Sequence, residues 1–300
     1  MKYQLYFVFM QIDKTTWALI GQFAEHWQQH WGSFTPDSSL AVSADIFEAA
    51  WAKYTQRLMG NYPFHHPRYA AQMLKPPHPI AMLGYMAAML INPNNHALDG
   101  GPPTSEMEKE VIKQLAGMFC LPTNTLGHLT SSGTIANLEA LWVASKLHKN
   151  KKIAFSANAH YTHERVCAVL GIETIKIPTN ENGIMDTDFL ADLLQTQSIG
   201  TVVATAGTTG LGLIDPIETL VALKKTYHFR IHVDAAYGGF FRLLADTDAY
   251  LQAATSFKAI AHCDSVVLDP HKHGLQPYGC GCVLFADPTV GQFYQHDSPY

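Results

Sequence analysis

With 300 residues, 47% apolar and only 15% charged, the chain is long enough for one large domain or two ordinary ones, and it hides much of its surface in a core or a subunit interface. A net charge of −5 offers no basic footprint, which argues against nucleic acid as a partner. No run of about eighteen apolar residues is present, so no membrane span is expected, and Met1–Met10 lacks the small-residue cleavage site of a signal peptide.

The five cysteines, Cys120, Cys167, Cys263, Cys280 and Cys282, form no regular framework and read as reduced thiols of a cytoplasmic protein. Residues 1–60 read as a helical segment. Trp17, Ile20, Phe23, Trp27 and Trp31 recur at three- and four-residue steps, and Ile46, Phe47, Ala50, Trp51 and Tyr54 repeat the pattern. Such stripes pack a core or clasp a second subunit. From Asn61 to Pro103 prolines punctuate the chain around one helical piece near Ile80–Leu90; this stretch is either a functional loop or a connector. A helix is expected from Ser105 to Phe119, with Ser105 as its cap and Glu108 three residues on.

From residue 125 strands and helices alternate. Helices are expected at Ile135–His148, Thr162–Leu170 and Asp188–Leu194, and after Asp215-Pro216-Ile217-Glu218, where Asp215 reads as the cap. Strands are expected at Ile153–Ser156, Thr174–Ile177, Thr201–Thr205, Ile231–Asp234, Ser265–Leu268 and Cys282–Phe285. This alternation predicts an α/β fold with a mostly parallel sheet flanked by helices.

Four points along this pattern carry chemistry. Ser131-Ser132-Gly133-Thr134 precedes a helix, whose free N–H groups favour an anion, although Ser and Thr cap helices of every kind. Asp234 ends a buried strand and must be paired there, by a turn or by the protonated ring nitrogen of a cofactor. His160 follows another strand end, where a neutral imidazole can stack on a flat ring or simply pack. Lys272 lies on the turn after Ser265–Leu268, where an amine can form a Schiff base with an aldehyde. Anion site, acid, stacking partner and amine are the four parts that hold pyridoxal 5′-phosphate. A zinc reading of His160, His163, Glu164, His262 and Cys263 lacks the zinc-protease order, and no metal is expected.

At this point a resemblance emerges. Asp269-Pro270-His271-Lys272, His232-Val233-Asp234-Ala235-Ala236-Tyr237, the Ala204–Gly210 run and Ser131–Leu138 resemble the group II pyridoxal-phosphate-dependent amino-acid decarboxylases. His66-Pro67-Arg68-Tyr69 and Asn92-Pro93-Asn94 resemble upstream motifs of the same family. The resemblance implies an aspartate-aminotransferase-like (fold type I) large domain over residues 61–300, preceded by the helical segment 1–60. It implies that Lys272 carries the cofactor, that Asp234 pairs with the pyridine nitrogen, and that His160 stacks on one ring face with Ala236 against the other. Gly133, Thr134 and His271 would hold the phosphate, Thr208 would lie near the ring hydroxyl, and Gln72 would meet the substrate side chain. Asp269 stands where many members have Asn; a carboxylate beside a phosphate is unfavourable, so it is not assigned to phosphate binding.

The function so implied is that of a carboxy-lyase: decarboxylation of an L-amino acid to its amine and CO2, by a cytoplasmic homodimer with active sites near its interface. The alternatives are an aldehyde synthase, an aminotransferase or another lyase of the same fold, and a cofactor-binding pseudoenzyme. Family members continue past Tyr300 into a mobile catalytic loop and a small domain. The chain therefore reads as truncated, with little or no turnover expected of it alone.

Overall fold

A computed structural model describes residues 14–32, 35, 37–64, 66, 68–69, 73–96, 98–247 and 251–296. The chain divides into two compact units, Met1–Pro93 and Asn94–Tyr300, with the division inside the Pro-rich stretch.

The first unit holds helices α1 (Lys14–Trp31), α2 (Ala44–Leu58) and α3 (Pro79–Ile91). The Trp stripe of α1 forms as expected: Phe23 and Trp27 stand 6.2 Å apart by ring centroid, Trp27 and Trp31 5.8 Å. His78 caps α3 by accepting the Ile80 N–H, Pro79 occupies the first turn, and Asn92 ends the helix in the left-handed conformation at φ 52°. None of the three helices contains a buried residue.

The second unit opens with α4 (Pro102–Met118). This helix starts three residues before the expected Ser105, because a proline's fixed φ and missing N–H suit a first turn. Ser105 is thereby buried inside the helix instead of capping it, and Glu108 accepts the N–H of Leu129 at 2.8 Å. Then come β1 (Leu126–Thr130), α5 (Gly133–Leu147), β2 (Lys152–Ser156), α6 (Thr162–Leu170), β3 (Thr174–Ile177), α7 (Thr187–Thr196) and β4 (Ile199–Thr205). The chain continues through α8 (Ile217–Tyr227), β5 (Arg230–Asp234), α9 (Leu251–Ala259), β6 (Ser265–Leu268) and β7 (Gly281–Phe285).

The seven strands form one sheet in the order β1-β7-β6-β5-β4-β2-β3. β3, β2, β4, β5 and β6 pair in parallel; β7 runs antiparallel to both β6 and β1. Two antiparallel steps leave β1 pointing the same way as β6. The carboxyl ends of β1, β2, β4, β5 and β6 therefore share one edge, where ligands of such sheets bind.

Strand alternation sorts the core into two layers. Ile231, Val233, Val266, Leu268 and Leu284 join one apolar cluster with residues of α4, α8 and α9. Val267, Val283 and Phe285 pack with Ala136, Ala140 and Val143 of α5. Between Ile231 and Val233, His232 faces the α5 side, where its ring meets Asn137. Asp234, two residues on, takes that same side.

Asp215 is not a helix cap. It is 1% exposed, and its two carboxylate oxygens accept the N–H groups of Met185 and Thr205 at 3.0 and 2.8 Å, tying a loop to β4. Burial pushes this carboxyl up to about 6 despite the two backbone donors. Among the described residues no helix is long and apolar enough to cross a membrane.

Candidate functional site

Each chemistry-bearing residue named above from the second unit sits on the carboxyl edge of the sheet, and β1 supplies the first. Its end turns through Ser131–Ser132 into α5, whose Ser132 hydroxyl accepts the Ile135 N–H at 3.4 Å. The Gly133 and Thr134 N–H groups lie in the first turn, where they have no intrahelical acceptor and a helix N-terminus favours negative charge. A side chain cannot be placed at Gly133: a Cβ there would stand 2.6 Å from Oδ1 of Asp269.

Asp234 ends β5, 5% exposed. Its Oδ2 accepts the Nε2–H of His163 at 2.9 Å, and its Oδ1 accepts the Ala236 N–H at 3.1 Å. Burial alone would raise its pKa, but the His163 hydrogen bond and charge, with the Ala236 donor, outweigh it and hold the carboxyl well below the usual range. A carboxylate is thus kept ionised in a nearly dry setting, which calls for a cationic partner.

His160 follows β2. Its Nδ1 accepts the Thr162 N–H at 3.3 Å, which leaves the proton on Nε2. Burial lowers its pKa, and Asp234, His163 and Lys272 all lie near enough for their charges to act on it. The lowered pKa and the acceptor role of Nδ1 favour the neutral ring.

Lys272 comes four residues after the end of β6. Its Nζ stands 3.0 Å from Oδ2 of Asp269, and only 19% of its side chain is exposed. Asp269 has a raised pKa, because burial outweighs the opposing charges of Lys272 and His271. Its Oδ1 is buried without a hydrogen-bond partner. His271 is buried beside it, and its Nδ1 accepts the Cys280 N–H at 3.2 Å, which leaves its Nε2–H as a donor. Thr208, on the turn after β4, is buried, and its hydroxyl oxygen accepts the Leu213 N–H at 3.0 Å.

Gly133, Thr134, His160, Thr208, Ala236, His271 and Lys272 thus follow strand ends on the edge where Asp234 ends β5. Gln72 lies outside the described residues. Three features of this region are not legible in the motifs: the Asp269–Lys272 pair, the His163–Asp234 bond, and a buried chain through His232. In that chain His232 meets Asn137 Oδ1 and Ser265 Oγ, both at 2.8 Å, while Asn137 donates to the Gly133 carbonyl. The available signal was the histidine in the middle of an apolar strand, which must find partners when buried. Among the described residues no group of three or more His, Cys, Asp or Glu side chains could hold a metal ion.

The family defined by the pyridoxal-dependent decarboxylase conserved domain matches residues 36–292. A probable L-tyrosine/L-aspartate decarboxylase of Methanocorpusculum labreanum is 31% identical over 240 residues, covering 79% of this chain and 63% of that protein. An L-2,4-diaminobutyrate decarboxylase of Rhizobium meliloti is 34% identical over 225 residues, covering 70% and 44%. The chain thus spans less than two thirds of the length of these relatives. In structure it is similar to the glutamate decarboxylase domain of a Vibrio parahaemolyticus diaminobutyrate-pyruvate transaminase and L-2,4-diaminobutyrate decarboxylase. The TM-score is 0.76 at 20% identity, over 95% of this chain and 70% of the other, and this likeness establishes the fold-type-I architecture. With its matching span reaching from the first unit to the last strand of the sheet, the chain belongs to the pyridoxal-dependent decarboxylase family.

Proposed function

We propose that this site serves a carboxy-lyase that converts an L-amino acid to its amine and CO2 with pyridoxal 5′-phosphate. The observation that carries the reading is Asp234: a buried carboxylate kept ionised at a strand end, beside a neutral imidazole and an amine. The residues fit the cofactor. An ionised acid suits a protonated ring nitrogen, a neutral histidine suits a flat ring, and a helix N-terminus suits a phosphate. When bound, the cofactor supplies an aldehyde that condenses with amines and a ring that accepts the electron pair of the broken bond.

The side chains supply the rest. Lys272 presents the amine, with Asp269 Oδ2 3.0 Å from its Nζ. Asp234 keeps a proton on the nitrogen it faces. His160 gives one flat face and Ala236 the small opposing surface. The first-turn N–H groups at Gly133 and Thr134, with His271 Nε2–H, bind the phosphate oxygens, and the Thr208 hydroxyl remains a donor toward the ring. Gln72 is proposed to contact the substrate side chain. The large cofactor domain is read as residues 61–300, with 1–60 as the helical segment before it.

A homodimer belongs to the same reading. Trp17, Trp31, Phe47 and Trp51 are each more than half exposed, on helices with no fully buried residue. An obligate interface of more than ~2,000 Å² would cover such a surface. Light scattering is expected to give twice the chain mass; a monodisperse monomer would contradict it. A cytoplasmic setting is proposed as well, since all five cysteines are free thiols, with Cys280 pushed up to about 11 by burial.

The test of the reaction is a screen of L-amino acids against the cofactor-loaded, full-length gene product, with CO2, amine, aldehyde and 2-oxo acid measured together. Amine and CO2 in equal amounts are expected. Aldehyde with ammonia, or 2-oxo acid without CO2, would assign the site to an aldehyde synthase or an aminotransferase instead.

A further inference from the structure

His163 occupies a position that helix periodicity reserves for an apolar side chain. In α6 it shares the buried stripe with Val166 and Cys167, three and four residues on, and it is 0% exposed. Phe155 packs near its ring at 5.9 Å by centroid. A hydrophobic residue would complete this cluster. A histidine leaves its Nδ1 buried with no hydrogen-bond partner, which is unfavourable unless the other nitrogen gains something.

The nearest polar ring gives it nothing. His232 stands edge-on, 6.5 Å away by centroid. Asn137 donates its amide to the Gly133 carbonyl, so its Oδ1 must face His232 and accept from Nε2–H. That leaves His232 Nδ1 to accept the Ser265 hydroxyl, and burial drops the pKa of His232 to about 3. His232 is locked neutral, with both nitrogens engaged elsewhere. The one hydrogen bond of His163 is therefore Nε2–H to Oδ2 of Asp234, at 2.9 Å, across 71 residues of sequence.

We propose that His163 is a positioning residue that fixes the Asp234 carboxylate in the orientation in which it meets the ring nitrogen of the cofactor. The inference rests on the reading of Asp234 as the partner of that nitrogen. Without His163, the carboxylate keeps only the Ala236 N–H and is free to rotate or to take up a proton, and the ring nitrogen loses a fixed anion.

The probes are pyridoxal 5′-phosphate and its 1-deaza analogue, in which CH replaces the ring nitrogen. Dissociation constants for both are measured on the 300-residue wild type, H163F, H163L, H163Q and D234A. Wild type is expected to prefer the cofactor over the analogue. Loss of a hydrogen bond to a charged group should cut that preference about ten- to hundredfold in H163F and H163L. The amide of H163Q can still donate to Oδ2, so the preference should return to within about threefold of wild type. D234A should abolish it.

If H163F and H163L keep the wild-type preference while D234A loses it, the role given to His163 is wrong. If D234A also keeps it, the reading of Asp234 on which the role rests is wrong. A second arm needs no cofactor. H163F strands a buried carboxylate, so the double variant H163F/D234A should unfold at a higher temperature than H163F alone. Recovery of folding in the double variant, should H163F not fold, is the same expected result. Simple additivity of the two losses would overturn the coupling.

Discussion

In the full-length gene product Lys272→Ala is expected to abolish amine formation, because it removes the amine through which the cofactor is bound. The expectation follows from placement. Lys272 is held on a turn after a fully buried strand, on the edge where the anion site, the acid and the neutral imidazole also lie. The substitution also removes the cation from Asp269, a buried carboxyl with one oxygen already unpaired. Removing one partner of a buried pair costs about 3–5 kcal/mol, tempered here because Asp269 can take up a proton. Lys272→Arg separates the two effects. It keeps a positive charge beside Asp269 and should fold nearly as well as wild type, yet it should be as inactive as the alanine variant. Measurable turnover in Lys272→Arg would mean that the amine is not the reacting group.

The second large effect is expected at Asp234. Asp234→Asn keeps an oxygen to accept from His163 but loses the charge, and turnover of the full-length gene product should fall on the order of 10²–10³-fold, the range seen when one preorganised electrostatic group is removed. Asp234→Ala should fall as far and also leave the His163 Nε2–H buried without an acceptor, at about 1–3 kcal/mol of stability. The pH dependence has a fixed sign. The folded-state pKa of Asp234 lies below its ordinary value of 3.8, so the carboxylate stabilises the fold above that pH and the contribution is lost as pH falls. Thermal unfolding of the cofactor-free protein should therefore show wild type above Asp234→Ala near pH 7, with the gap closing below about pH 4. Near-normal turnover in Asp234→Asn would contradict the role of the acid.

The parts of the molecule governed by local rules are legible in the sequence. Helix α6 and strand β3 fall at the expected boundaries, because apolar periodicity and a terminal glycine act within a few residues. The placement of His160, Asp234 and Lys272 at strand ends is legible for the same reason: each ends or follows a short apolar run. What the sequence hid is long-range. Strand β1 reads Leu-Gly-His-Leu-Thr, and its weak propensity is overridden by pairing with β7, some 155 residues later. Asp215 carries the local signature of a helix cap, yet backbone donors 10 and 30 residues upstream claim its two oxygens. Ser105 looks like a cap because hydroxyl residues favour that place, but two preceding prolines start the helix first. His163 reads as one more member of an apolar stripe until the sheet brings Asp234 to its Nε2.

The central claim is that pyridoxal phosphate is anchored through Lys272, and it is tested most directly by chemical fixation. The cofactor-loaded protein is reduced with borohydride, digested, and the peptide bearing the pyridoxyl group is identified by mass spectrometry. A single modified peptide containing Asp269-Pro270-His271-Lys272, absent from the Lys272→Arg variant, is the predicted result. Fixation at another lysine, such as Lys109 or Lys224, with Lys272 unmodified, would contradict the account.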